Sequence, residues 1–215
     1  MVKVAPAARK RAALAALTLQ RPASGRSTKV LKADVKQLQR YLGKSCPHFG
    51  KKGVVQFFAP CTSRGEEGSS APPRFNKYAG WAEWENAIFL WVNAVGGNFD
   101  NSFVNGGSQV SWYVGGQRPT ERSPIVKRLL ATARGEAGQK NTKVILFVRP
   151  RATDPYVVCG PCAYVAHNAR KKGFEFTWKL REFAALKKCR DFNRLMCITQ
   201  RQGSSSASSA AEKWA

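Results

Sequence analysis

Acidic residues are scarce in this chain. Its 215 residues include 13 aspartates and glutamates against 36 lysines and arginines, which gives a formal net charge of +23. No acidic residue precedes Asp34. Such an excess of positive charge predicts binding to phosphate polyanions, with an affinity that falls steeply as salt rises. The alternative is a generic basic surface of the kind found on ribosome-associated proteins.

Long apolar segments are also missing. No run approaches the roughly 18–20 residues that a membrane span needs. The longest candidate, residues 87–95, contains Asn93 and has the composition of a strand. We therefore expect no membrane partner. Hydrophobic residues still make up 43% of the chain, which is enough for the core of one domain of ordinary size.

Histidine is nearly absent, with only His48 and His167. No pair of carboxylates and no Ser/His/Asp order stands out, so the sequence gives no support for a hydrolytic active site. We expect no cofactor.

The six cysteines do not resemble a secreted disulfide framework, and no signal peptide is recognisable at the N-terminus. Cys159 and Cys162 stand in a Cys-Gly-Pro-Cys motif like that of thioredoxins, but strand-like runs flank it and no helix follows. We therefore predict packing and not redox exchange, and no bound metal. A zinc site that adds Cys46, His48 or Cys61 is the open alternative.

The composition divides the chain into four regions. Residues 1–29 form a basic tail that fits an organelle transit peptide, a nuclear-targeting segment or a DNA-contacting arm. Residues 30–73 contain a short helix and a flexible linker, residues 74–186 form the main domain, and residues 187–215 form a C-terminal tail with a disordered end. We expect the protein to be intracellular, in the nucleus or an organelle.

Short, aromatic and β-branched runs dominate the middle of the chain, at residues 85–93, 108–114, 143–149, 155–160, 162–168 and 173–180. Residues 123–133 read as a helix, with Ser123 as the N-cap and Pro124 in the first turn. This pattern predicts an α+β fold, a curved β-barrel with flanking helices and basic disordered tails.

A series of short motifs over residues 74–186 resembles the C-terminal domain of ATP-dependent Type IV restriction enzymes. In that family a Phe-x-Asn segment precedes Ser-Trp and a polar, basic run. Thr-x-x-Ser-Pro then opens a helix, a Leu-Phe-Val strand follows, a Gly-Pro turn leads into Tyr-Val-x-His, and a Trp-x-Leu strand comes last. The matching residues are Phe103, Asn105, Ser111, Trp112, Arg118, Thr120, Ser123, Pro124, Leu146, Phe147, Val148, Arg149, Gly160, Pro161, Tyr164, Val165, His167, Trp178 and Leu180.

The resemblance implies an SRA-like module of the PUA-like β-barrel superfamily. Such modules recognise DNA that carries 5-methylcytosine or 5-hydroxymethylcytosine, commonly by flipping the base into a pocket. The chain has no room for the helicase and nuclease parts of the family enzymes, so we expect a free-standing reader.

Trp112 is the main candidate for stacking on a flipped base, and the alternative is a tryptophan of the barrel core. Tyr113, which points to the opposite face of the same strand, is also an expected nucleic-acid contact. Asp100 and Asn105 are weaker candidates for base reading. The Asp100 carboxylate can accept from cytosine N4, and the alternative for this residue is a local Asx cap in a turn. His167 is a candidate for a base or phosphate contact or, alternatively, a structural residue at the barrel mouth. The other expected nucleic-acid contacts are Gln117, Arg118, Thr120, Arg122, Ser123, Arg149, Tyr164, Arg170, Lys171 and Lys172.

Together these features predict a module that binds double-stranded DNA, with a modified cytosine as the base that it reads. Two alternatives stay open. One is an RNA-binding PUA-type module in an organelle, and the other is a small nuclease or base-modifying enzyme.

Overall fold

A mixed sheet of seven strands, with five α-helices around it, makes up the part of the chain that the structure describes. The computed structural model describes residues 32–59, 75–96, 101–115, 119–170 and 173–211. The strands are β1 (Trp81–Glu83), β2 (Ala87–Asn93), β3 (Ser102–Val104), β4 (Gln109–Val114), β5 (Lys143–Arg149), β6 (Val157–Arg170) and β7 (Gly173–Leu180). The helices are α1 (Val35–Arg40), α2 (Gly50–Phe58), α3 (Pro124–Arg134), α4 (Phe183–Leu186) and α5 (Arg190–Ala211).

The strand order is β1-β2-β5-β6-β7-β4-β3. The β2–β5 pair is parallel, and every other neighbouring pair is antiparallel. The predicted α+β class is confirmed. A closed barrel is not confirmed, because β1 and β3 are the two edges of an open sheet in the described residues. A curved sheet is compatible with this arrangement.

Alternate side chains of β2 and β5 are buried on opposite faces of the sheet. Ile88 and Leu90 belong to the same core as α3 and α5, whereas Phe89 and Trp91 pack in a second core with α2. Burial on both faces explains why β2 reads as a continuous apolar run and not as an alternating one.

The sequence also accounts for α3. Ser123 is its N-cap residue and Pro124 its first residue, as predicted, and Gly135 ends it in the left-handed conformation. Leu129 and Leu130 lie one turn after Ile125 and Val126, and all four side chains are buried in the first core. The helix is therefore fixed against the sheet from its first turn.

The low-complexity end was predicted to be disordered, whereas the structure describes residues 202–211 as helical. Helix α5 continues through Ala211. No helix among the described residues is long and apolar enough to cross a membrane.

The Gly-Pro turn implied by the family resemblance is instead part of one long strand. β6 runs through Gly160 and Pro161, and a register shift in the β5–β6 pairing falls at this point. Gly160 has a φ of 81°, which is the left-handed region that favours glycine, so it absorbs the irregularity without ending the strand.

Cys159 and Cys162 lie on this strand as free thiols buried in the first core. Burial raises the pKa of Cys162 to about 12 and raises that of Cys159 well above its usual value. The described residues contain no group of three or more residues suited to bind a metal ion. Cys61 lies outside the described residues, so the alternative zinc site that includes it stays untested.

We predict that neither thiol reacts in the folded protein. A raised pKa keeps both as thiols at neutral pH, and the thiolate is the reactive form. An aromatic disulfide reagent should modify exposed Cys197 rapidly, and Cys159 and Cys162 only at the rate of global unfolding. Peptide mapping by mass spectrometry at increasing denaturant concentration measures this order. Fast native-state labelling of Cys162 would mean that the motif is accessible after all.

Trp112 lies on β4 in the first core, where only 1% of its surface is exposed. It pairs in register with Phe176, and the two ring centroids are 6.2 Å apart. This position corresponds to the alternative of a core tryptophan. The stacking role stays a prediction, and it requires the ring to become accessible.

We predict that Trp112→Ala destabilises the fold by ~3–5 kcal/mol, the usual cost of truncating a large core aromatic residue. Trp112→Phe should recover much of that loss, since it leaves a smaller cavity. Chemical denaturation followed by circular dichroism measures both variants. A well-folded Trp112→Ala protein that loses binding only to modified DNA would instead favour the stacking role.

Candidate nucleic-acid interface

Several of the predicted contact residues converge on one end of the sheet. Val114 at the end of β4 pairs with Phe174, and Arg170 at the end of β6 pairs with Gly173. The chain leaves β4 at this end and enters α3 after residues 120–123. We call the cluster of Thr120, Glu121, Arg122, Ser123, Tyr164, His167 and Phe174 the mouth.

The turn before α3 holds its own shape through short polar side chains. The Ser123 hydroxyl accepts from the Thr120 N–H at 3.0 Å, and the Thr120 hydroxyl accepts from the Arg122 N–H at 3.2 Å. Thr120 and Arg122 are both exposed. The turn therefore presents the Arg122 guanidinium to solvent from a fixed backbone.

A bulge in β6 brings Tyr164 and His167 together. In a regular strand, residues three apart lie on opposite faces. Here the β6–β7 register shifts between Tyr164 and Ala166, so that Tyr164 pairs with Trp178 and His167 with Phe176. Both side chains consequently lie on the core face, and the Tyr164 hydroxyl is 2.7 Å from His167 Nδ1.

The His167 ring ends a row of aromatic side chains. It is stacked on Phe174, with the ring centroids 5.2 Å apart and an interplanar angle of 14°. Phe176 and Trp178 follow further inside, and Tyr164 meets both of them edge-on. The His167 side chain is 26% exposed, so part of this imidazole is open to a ligand. The position of His167 fits both roles expected from the sequence, namely a contact with a base or phosphate and a structural residue at the barrel mouth.

Glu121 is a member of the mouth that the sequence analysis missed. Its Oε1 atom is 3.4 Å from His167 Nε2, and the carboxylate itself is mostly exposed. One indication of this role was available in the sequence: Glu121 is the single acidic residue in the segment that contains Arg118 and Arg122. Which residue it would meet depended on the β6 bulge.

Tyr113 is not part of the mouth. It is half-buried on β4, and the neighbouring Trp112 side chain takes the core face. Its backbone N–H donates to Asn101 Oδ1 at 2.8 Å. Gly173, the first residue of β7, lies against the Tyr113 ring.

Asn105 and Arg149 lie away from the mouth. Asn105 opens the 3-10 turn between β3 and β4 with a φ of 50°. It borders a cleft of about 370 Å³ between this hairpin and α5, with Phe103 and Met196 among its apolar lining. Arg149 ends β5, where its Nε donates to Asn93 Oδ1 at 2.6 Å and its guanidinium lies over the Tyr156 ring.

Five of the predicted site residues lie outside the described residues, namely Asp100, Gln117, Arg118, Lys171 and Lys172. Arg170 is described only as a backbone position at the end of β6. Chain connectivity places residues 171–172 between β6 and β7 and residues 116–118 between β4 and α3.

Arg122 is the described arginine of the mouth, and the described ion pairs show whether a carboxylate balances it. The described ion pairs are Lys32–Glu85, Arg128–Glu83, Arg134–Glu136 and His167–Glu121. Arg122 takes part in none of them. Its charge is therefore available to an incoming anion.

The chain has a structural similarity to the DNA recognition domain of the cytosine modification-dependent restriction endonuclease LpnPI. The similarity covers 48% of this chain and 59% of that chain, with 13% sequence identity and a TM-score of 0.31. No protein-family model and no curated protein matches the chain. The similarity is therefore confined to about half of this chain.

Proposed function

We propose that this protein binds DNA at the mouth. The observation that carries the proposal is the convergence there of a partly exposed aromatic and imidazole cluster with a fixed, cation-bearing turn. The net charge of +23 supports a phosphate polyanion as the ligand. In this arrangement Arg122 contacts the backbone, and the rings of Tyr164 and His167 are the surfaces nearest to a base.

The base that is read is a modified cytosine, extruded from the duplex. The motif order that resembles the Type IV restriction enzymes supports this choice of ligand. The geometry adds a chemical reason, because the Glu121 carboxylate can accept from the cytosine N4 amino group. An extruded base can stack on the exposed side of His167, whose other side is covered by Phe174.

This proposal moves base recognition from Trp112 to His167 and Tyr164. Trp112 supports the floor of the mouth through Phe176, against which the His167 ring also packs. Trp112 is then needed for the stability of the fold, and His167 and Tyr164 are needed for contact with DNA.

Arg122→Ala should weaken binding to every duplex in a similar way, whether or not it is modified. Loss of one phosphate contact should reduce the slope of log K against log salt by about 0.9. The matched control is Arg134→Ala, which removes an exposed arginine from the other end of α3. Fluorescence anisotropy over a series of salt concentrations measures the slopes. Equal slopes for the two variants would remove Arg122 from the interface.

His167→Ala should selectively lower affinity for DNA with 5-methylcytosine or 5-hydroxymethylcytosine. Stacking on one base is worth ~1–3 kcal/mol, whereas binding to unmodified DNA depends mainly on phosphate contacts. Tyr164→Phe keeps the ring and removes one hydrogen bond, and should cost about 1 kcal/mol on the modified duplex.

Competition of labelled modified duplex with unmodified duplex and with RNA measures this selectivity. Thermal unfolding of each variant serves as the control for folding. A wild-type protein that prefers RNA would support the RNA-binding alternative. If His167→Ala lost affinity for modified and unmodified DNA equally, His167 would not be a residue that reads the base.

A further inference from the structure

A second surface combines exposed aromatic rings with cations, and it shares no residue with the mouth. Tyr78 is 84% exposed and Phe49 is 72% exposed, the two largest values among the exposed large hydrophobic residues that the structure describes. Lys51 and Lys52 follow Phe49 after Gly50, and Lys77 directly precedes Tyr78. We call these five residues the basic aromatic face.

Lys51 joins the two segments that form this face. Its ammonium group donates to the Lys77 carbonyl at 3.1 Å and to the Ala79 carbonyl at 2.6 Å. The first turn of α2, which follows Phe49, is thereby held against the residues on either side of Tyr78. An ammonium group has three hydrogens, and in the described residues these two carbonyls are its hydrogen-bond acceptors, so one donor is left for an incoming oxygen.

The Tyr78 ring is positioned by its neighbours and not by burial. Asn76 Oδ1 accepts from the Tyr78 N–H at 3.0 Å, which fixes the local turn. The Lys77 ammonium lies 4.9 Å from the centroid of the Tyr78 ring. An exposed aromatic ring is therefore held in solvent with a cation beside it.

Positive charge accumulates at this face without compensation. Neither its three lysines nor neighbouring Arg149 takes part in any of the described ion pairs. Burial, with a further effect from Arg149, lowers the pKa of Lys51 to about 8. An anion next to this amine would favour its charged form.

We propose that the basic aromatic face binds single-stranded nucleic acid. Tyr78 and Phe49 stack on unpaired bases, and Lys51, Lys52 and Lys77 hold the phosphates between or beside them. Unpaired bases expose the π-faces that such rings require, whereas a duplex keeps its bases stacked on one another. The Tyr78 ring carries a cation beside it, which favours this ligand over a lipid surface.

The proposal shares only its class of ligand with the proposed function, and it uses different residues. The face lies near the end of β5, where Val148 pairs with Val157 at the start of β6, whereas His167 lies close to the end of β6. The two surfaces therefore adjoin different ends of that strand and share no residue.

The test uses the full-length protein and a fluorescent oligothymidine of about 15 nucleotides. Tyr78→Ala and Phe49→Ala should each weaken its binding by roughly 5- to 150-fold, the equivalent of stacking on one base. Tyr78→Trp should bind at least as tightly as wild type, and Tyr78→Leu should bind as weakly as Tyr78→Ala. The leucine keeps apolar area but has no π-face, so this pair separates stacking from hydrophobic contact.

Lys52→Ala should lower the salt slope for the oligothymidine by about 0.7, and Lys140→Ala, an exposed lysine outside the face, should leave it unchanged. Because Tyr78 is mostly exposed, its variants should keep the wild-type melting temperature. Binding of modified duplex by these variants should stay within about twofold of wild type.

Three results would overturn the proposal. The first is a failure of the wild type to bind oligothymidine while it binds duplex, which would leave the proposed function of the mouth intact. The second is an equal loss of oligothymidine and duplex affinity in Tyr78→Ala, which would place the face within a duplex footprint. The third is a Tyr78→Ala protein that no longer sediments with anionic phospholipid vesicles but still binds oligothymidine as wild type does. This result would assign the face to a membrane.

Discussion

The rest of the fold depends on the two-sided pairing of β6. The first part of this strand pairs with β5, and the second part pairs with β7; Cys162 is the one residue that has a partner on both sides. β6 therefore joins the half of the sheet that is covered by α2 to the half that carries the mouth. Gly160 and Val165 mark the two irregularities that let one strand serve both partners. Bulges increase local twist, which fits a curved sheet.

The second irregularity also creates the candidate site. If β6 were regular, His167 would face away from Tyr164, and the aromatic row of β7 would end at Phe174 without a cap. The extra residue is Val165, which is itself exposed. A local change of register thus decides which side chains can meet a ligand, although it contributes little to the core. This is the behaviour expected of a bulge next to a functional site.

Side-chain periodicity was sufficient to predict much of the fold. The bounds of β5 and β7 match the predicted runs, and Phe174, Phe176 and Trp178, which alternate along β7, share a buried face. Periodicity could not identify α2, because its first turn contains two glycines and two lysines. Nor could it separate a core role from a stacking role for Trp112, since an aromatic residue in a half-buried strand has the same local pattern in both cases. The contact between Glu121 and His167 joins residues 46 positions apart and depends on tertiary packing alone.

The distribution of the few carboxylates gives an electrostatic reason for treating both surfaces as binding sites. Self-repulsion in a chain of this net charge destabilises the compact state, and the available acids could reduce it most where cations are closest together. In the described residues, acids instead pair with Arg128 and Arg134, whereas Arg122 and Lys51 stay without an ion pair. The lowered pKa of Lys51 shows that the charged form of this lysine costs free energy in the folded state. The fold is penalised while this lysine is charged, and stability is recovered only as the pH rises from about 8 towards the ordinary value of 10.5. A phosphate bound beside this lysine would favour its charged form at neutral pH, which is an electrostatic reason for proposing a polyanion as the partner.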